Sequence, residues 1–188
     1  ALPCFSTCLW KPLPYPDPGR LVVIKEVDPR GGAWPFSEPA LLDVQERSRS
    51  LTSAAAFRTG SWALTAAGET EMIHAAAVTP SSFAMFGIKP ILGRALREKD
   101  VVISSDLWKR KWQMNPSVVG QAIALDGESY TVAGIADLPA DLLPGAELLL
   151  PLLPKATESR SAHEIEAVGR LRAGVDNRQA EAELNTIA

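Results

Sequence analysis

The stretch from Gln121 to Ala136, QAIALDGESYTVAGIA, decides the fold class. An alternating apolar run, the pair Asp126-Gly127 and a second run rich in β-branched and aromatic residues spell strand, type I′ turn and strand. Asp-Gly suits that turn because both central residues need positive φ, which Gly adopts freely and Asp tolerates. Upstream, Val101–Ser104 reads as a short strand, and SSDLWKRKW after it as a helix capped by Ser104 or Ser105. Leu107, Trp108 and Trp112 are its apolar side. Further upstream, TPSSFAMFG carries Thr79 and Pro80 at a helix start and Gly87 at its end, while IKPILGR reads as a loop.

The remainder alternates in the same irregular way. LVVIKEV (21–27) reads as a buried strand, and Ser37, Glu38 and Pro39 open a helix that ends near Arg47 and Arg49. From Leu51, SAAAFRTG and SWALTAAG read as two short strands, the second turning through AAGET into EMIHAAAVT. The segment 138–154 is rich in Leu but broken by prolines, so it holds a connection and one buried strand at ELLLPL. EIEAVGRLRAG is a further strand, and DNRQAEAELNTIA a helix capped by Asp176 or Asn177. About eight strands and four or five helices in irregular order make an α+β fold.

Composition narrows the function classes. With 188 residues and 46% hydrophobic content, the chain can bury a core without disulfide or metal. A net charge of -3 argues against binding nucleic acid through phosphate contacts. Cys4 and Cys8 are spaced as adjacent helical turns, a poor geometry for bridging, so no disulfide is assumed between them. With only His74 and His163 besides, no metal ligand set forms, and no metal or cofactor is expected. No phosphate loop, dinucleotide fingerprint or nucleophile elbow occurs. Ser104, Ser105 and Asp106 lack a neighbouring histidine, and Glu164 and Glu166 read as a solvated strand face rather than a glycosidase pair. No enzyme is expected.

The apolar start, ALPCFSTCLW, is too short to cross a bilayer but fits the end of a longer span. It is followed by a stiff lead-in carrying Pro12, Pro14, Pro16 and Pro18. Candidate contact residues for a partner are the aromatic and basic positions Trp34, Trp62, Trp108, Lys109, Arg110 and Trp112.

Several phrases stand in one family's order: KPLPYPDPGRLV (11–22), SRSLTSAAAFRTGSWALTAAGE (48–69), VTPSSFAMFGIKPILGRAL (78–96) and VVISSDLWKRKW (101–112). NPSVVGQAIALDGESYTVAGI (115–135), ELLLPL (147–152) and VGRLRAGVDNRQAEAELNTIA (168–188) follow. The chain thereby resembles the MacB-like periplasmic core domain of MacB/FtsX-type ABC permeases, in particular their duplicated, ATPase-lacking branch. The stretch between Gly93 and Val101 is shorter than is common in that family.

The resemblance implies a non-catalytic extracytoplasmic domain on the outer face of the bacterial plasma membrane, anchored by flanking transmembrane helices. It would couple their motion to a substrate, lipoprotein or adaptor. The implied partners are the rest of the parent permease, a separate ATPase subunit and an extracytoplasmic adaptor or client. It also implies two lobes. Residues 1–19 would be the end of a transmembrane helix and the lead-in, 20–78 with 156–188 a porter-like β-α-β subdomain, and 79–155 an inserted α+β lobe. The alternative is a binding module that captures a small amphiphile between the lobes, with 138–154 lining the cleft.

Overall fold

Hydrogen-bonded pairing of the runs named above builds the observed elements in a computed structural model that describes residues 15–27 and 32–187. The expected membrane-helix end at the start of the chain lies outside those residues. In chain order the elements are β1 (Leu21–Ile24), β2 (Glu26–Val27), β3 (Ala33–Trp34), α1 (Glu38–Arg47), β4 (Leu51–Ala66), β5 (Glu69–Val78), α2 (Ser81–Phe86) and β6 (Pro90–Gly93). After them come β7 (Asp100–Ser104), α3 (Ser105–Trp112), β8 (Ala122–Leu125), β9 (Glu128–Ala136), β10 (Leu148–Pro151), β11 (Glu166–Leu171) and α4 (Asn177–Leu184). The fold is α+β.

Two compact units emerge: the described residues through Ala54 together with those from Lys155, and Ala55–Pro154. This partition differs from a division at Thr79. The reason is β5, which pairs antiparallel with β4 on one side and parallel with β10 on the other, so the β4–β5 hairpin is bonded into the second unit.

In the first unit β11 lies between β1 and the start of β4, with Leu21 opposite Arg170 and Ile24 opposite Ala167. The expected buried strand 21–27 is instead two pieces broken at Lys25, and Val23 and Val27 are exposed. Among the described residues β1 pairs only with β11, and it buries Ile24 while Val23 faces solvent. α1 buries Leu41 and Val44, and α4 closes its start with a capping box between Asp176 and Gln179. Ser37 precedes α1 as expected but does not cap it through its side chain. Its amide and hydroxyl both donate to Glu26 Oε1 at 2.9 Å.

The second unit is organised by ring closure. β4 pairs β5, β5 pairs β10, β10 pairs β7, β7 pairs β9, β9 pairs β8, and β8 returns to β4 through Leu64 opposite Leu125. Six strands thus close on themselves, which removes free edges, and β6 adds to the far end of β9. Leu64, Ile73, Ile103, Leu107, Ile135 and Leu148 are fully buried. Each contributes about 1.5–3 kcal/mol by leaving water.

Two local expectations are corrected in this unit. The two strands after Leu51 are one sixteen-residue strand, because Gly60 continues the ladder opposite Ala75. IKPILGR is not all loop: Pro90–Gly93 forms β6, bulged between Pro90 and Leu92. Gly93, at φ 78°, lies so close to Ala133 O that a Cβ would stand 2.2 Å from it. The Leu-rich segment holds its one buried strand as expected, β10 within ELLLPL. Leu143, Leu148, Leu149, Leu150 and Leu152 are buried, since β10 is flanked by β5 and β7, and only Leu153 is largely exposed.

Candidate functional site

Four of the six expected contact residues share α3, so its construction fixes what that surface can present. Ser104 Oγ accepts from Leu107 N at 3.0 Å, Asp106 sits in the first turn, and Lys109, Arg110 and Lys111 crowd the last. That placement of charge complements the helix dipole at both ends. Leu107 is fully buried and anchors α3 against the ring. Trp108 and Trp112, expected as the apolar side, are only half-buried. Trp108 Nε1 donates to Asn115 O at 2.8 Å, which folds the chain after the helix back over the indole. Gln113 and Met114 in that return have φ of 51° and 60°, and Met114 is exposed.

The basic run divides by role. Arg110 Nη1 lies 2.6 Å from Glu71 Oε2 and its Nη2 lies 2.7 Å from Glu147 Oε1. Lys111 Nζ is 2.9 Å from Glu71 Oε1, and its side chain is nearly buried. The hydrogen bonds from Arg110 first, then Lys111, hold the Glu71 carboxyl below the usual range, while Glu71 and Glu147 raise Arg110. These two cations therefore fasten α3 to β5 and to the approach to β10. Lys109 differs. It reaches only Asp106, at 3.5 Å, with 57% of its side chain exposed.

Trp62, on β4 in the same unit, is half-buried and lies on the face that carries Leu64, whose cross-strand partner is Glu71. Its indole folds back over Gly60, where a Cβ would stand 3.2 Å from Cη2 and Cζ3. Trp34 belongs to the first unit. It is 49% exposed on β3, its ring centroid 6.1 Å from that of His163. Thus α3 gathers Trp108, Lys109, Arg110 and Trp112, Trp62 shares their unit, and Trp34 belongs to the other unit.

Glu71 and Glu147 were missed by sequence reasoning, because charge partners 39 and 37 positions from Arg110 are set only by the strand pairing. Ser105 Oγ donates to Asp137 Oδ1 and Ser104 is spent on the helix cap, so the Ser104–Ser105–Asp106 run serves local structure. Among the described residues no group of three or more His, Cys, Asp or Glu side chains could hold a metal ion. No helix among them is long and apolar enough to cross a membrane.

The sequence profile of the MacB-like periplasmic core domain matches residues 12–187, which takes in both units. The chain belongs to the MacB-like periplasmic core domain family. A domain of a protein described as a permease, from Porphyromonas gingivalis, is similar in structure with a TM-score of 0.74 and 20% identity, covering 89% of this chain and 79% of that one. The periplasmic region of MacB from Actinobacillus actinomycetemcomitans has a TM-score of 0.69 and 15% identity, covering 89% and 82%. The extracellular domain of the noncanonic ABC-type transporter YknZ from Gram-positive bacteria has a TM-score of 0.62 and 11% identity, covering 87% and 88%. No curated protein matches the chain. Membership in this family makes the chain an extracytoplasmic domain of an ABC-type permease.

Proposed function

We propose that this MacB-like domain is a non-catalytic coupling element. It passes motion of the parent permease's transmembrane helices to a substrate, lipoprotein or adaptor outside the cytoplasm, with an ATPase subunit supplying the work. The observation that carries the reading is the family match across residues 12–187. The connectivity supports it. The chain passes from one compact unit to the other at Ala54–Ala55, inside the hydrogen-bonded strand β4, and returns at Pro154–Lys155. A strand that belongs to both units gives a mechanical input to one a direct covalent route into the other. The part that would meet a partner is the α3 surface with Trp108, Lys109 and Trp112, joined by Trp62, while Arg110 keeps α3 in place. Trp34 is assigned a separate contact on the first unit.

The test uses the full-length parent permease in nanodiscs, spin-labelled at Glu181→Cys on α4 and Asp106→Cys on α3. Both positions are exposed. The distance distribution between the labels is expected to shift when nucleotide is added to the complex with its ATPase. An unchanged distribution through the cycle sinks the coupling role.

A further inference from the structure

Strand register gathers the arginines of the first unit at one end of it. Leu21, which follows Arg20, lies opposite Arg170, so β1 begins where β11 ends. Arg172 N donates to Ser50 O at 2.8 Å, which brings the start of β4 to the same end. Arg172 Nε donates to Arg49 O at 3.0 Å and Arg47 Nη1 to Ile187 O at 3.2 Å, so the last turn of α1 and the chain beyond α4 arrive there as well. Arg178 stands in the first turn of α4, which opens just after β11. Arg47, Arg49, Arg172 and Arg178 are exposed, and among the described residues none of them pairs with a carboxylate. Where two of them are tethered, the acceptor is a neutral carbonyl, which holds the side chain without cancelling its charge.

Most carboxylates at this end are already engaged. Asp17 lies 2.6 Å from Arg20, Asp176 caps α4, and both oxygens of Glu183 are taken by residues 48–50, while Glu181 is exposed. Glu46, one residue before Arg47, lines a hollow with Ala156 and Arg160. The opposite end, where α1 and β11 begin, has the reverse balance: Glu26, Glu38, Glu164 and Glu166 stand against Lys25 and Lys155, and Asp43 pairs with Arg160. The first unit is thus polarised along its strands, with a cationic end in a chain whose net charge is -3.

We infer that this arginine-rich end rests on the anionic headgroups of the plasma membrane's outer face. Family membership puts the domain on that side of the membrane, so a phosphate-bearing surface lies within its reach. Guanidinium forks match phosphate oxygens in pairs and give up water more readily than ammonium groups do. The acidic end is repelled by the same surface, so the charge separation turns the unit with its arginines toward the lipid. The cations are spread over a helix end, a turn and a helix start, which suits a sheet of headgroups better than a single soluble anion. The inference rests on the extracytoplasmic placement and stands whether or not the coupling role holds.

The test is flotation of the 188-residue chain with vesicles of phosphatidylcholine alone or of phosphatidylcholine with phosphatidylglycerol. At low salt, partition onto the anionic vesicles is expected to exceed that onto the neutral ones by about tenfold, and molar salt should remove the difference. Arg49→Gln and Arg178→Gln, which break no side-chain bond of the fold among the described residues, should each weaken anionic partition by about threefold to fivefold. Lys155→Gln, at the acidic end, should leave it unchanged. Equal partition onto the two vesicle types overturns the inference. So does anionic partition that both arginine substitutions leave intact, or that Lys155→Gln weakens as much as they do.

Discussion

Glu183 shows how much one side chain can organise. Its Oε1 accepts from Arg49 N at 2.8 Å, and its Oε2 from Ser50 N at 2.8 Å and Ser48 Oγ at 3.2 Å. One carboxylate on α4 thereby satisfies the backbone of the turn that launches β4. Hydrogen bonds from Ser50 above all, then from the Arg49 and Ser50 amides and Ser48, lower its pKa to about 2 from an ordinary 4.5. A depressed acid stabilises the fold above its unfolded pKa and ceases to do so as pH falls through its folded one. The contribution of Glu183 is thus complete above about pH 5 and is lost between there and about pH 2. Discounted for partial exposure, it amounts to about 1–2 kcal/mol. Glu183→Gln is expected to lower the free energy of urea unfolding at neutral pH by that amount. The gap to wild type should close as the solution is acidified toward pH 3. A gap that stays constant with pH would assign Glu183 a packing role only.

At the scale of elements, the attachment of α3 is the feature most open to measurement. Arg110 bridges Glu71 and Glu147 while Lys111 shares Glu71, so three of these four charges couple through one carboxylate. Pairs this exposed are each weak, but a shared partner makes them interdependent. Arg110→Met keeps the aliphatic stem and removes the fork. It is expected to cost about 1 kcal/mol at low salt and clearly less in molar salt. In a double-mutant cycle with Glu71→Gln, measured by denaturant unfolding, a coupling energy near zero would mean that Leu107 alone holds the helix. None of this network was legible in the sequence, where KRK reads as a solvated helix end. What was legible is local: the Asp126-Gly127 turn, at φ of 50° and 83°, the Ser104 cap of α3 and the capping box at Asp176. Gly60 looked like a strand end because glycine packs nothing of its own, yet the Trp62 ring covers its backbone and β4 continues. Pro90 and Gly93 disguised β6 for a related reason, since both residues are tolerated only at an edge or a bulge. The six candidate contact residues were readable as types, but their distribution between two units was not.

At the scale of the whole chain, the two units differ in how their sequence is assembled, and that difference predicts their autonomy. The first is made of two segments separated by 100 residues, so it must close a long loop before it gains its contacts. The second is one continuous segment, Ala55–Pro154. Its ring uses β4 only from Phe57 to Ala66, so cutting the chain before Ala55 leaves every ladder of that ring intact. The buried groups Leu64, Ile73, Ile103, Leu107, Ile135 and Leu148 all lie within the same segment. The segment also satisfies its own buried carboxylate, Asp100, which is bound by the half-exposed Arg94 and accepts from the Arg97 amide at 2.8 Å. Residues 55–154 expressed alone are therefore expected to fold, with dispersed amide resonances and a single cooperative thermal transition, whereas residues 1–54 alone are not. If the 55–154 fragment gave only collapsed spectra with no sharp transition, the ring would depend on the other unit for its stability. A coupling domain built that way would unfold in part when its units were pulled apart, rather than transmit the pull.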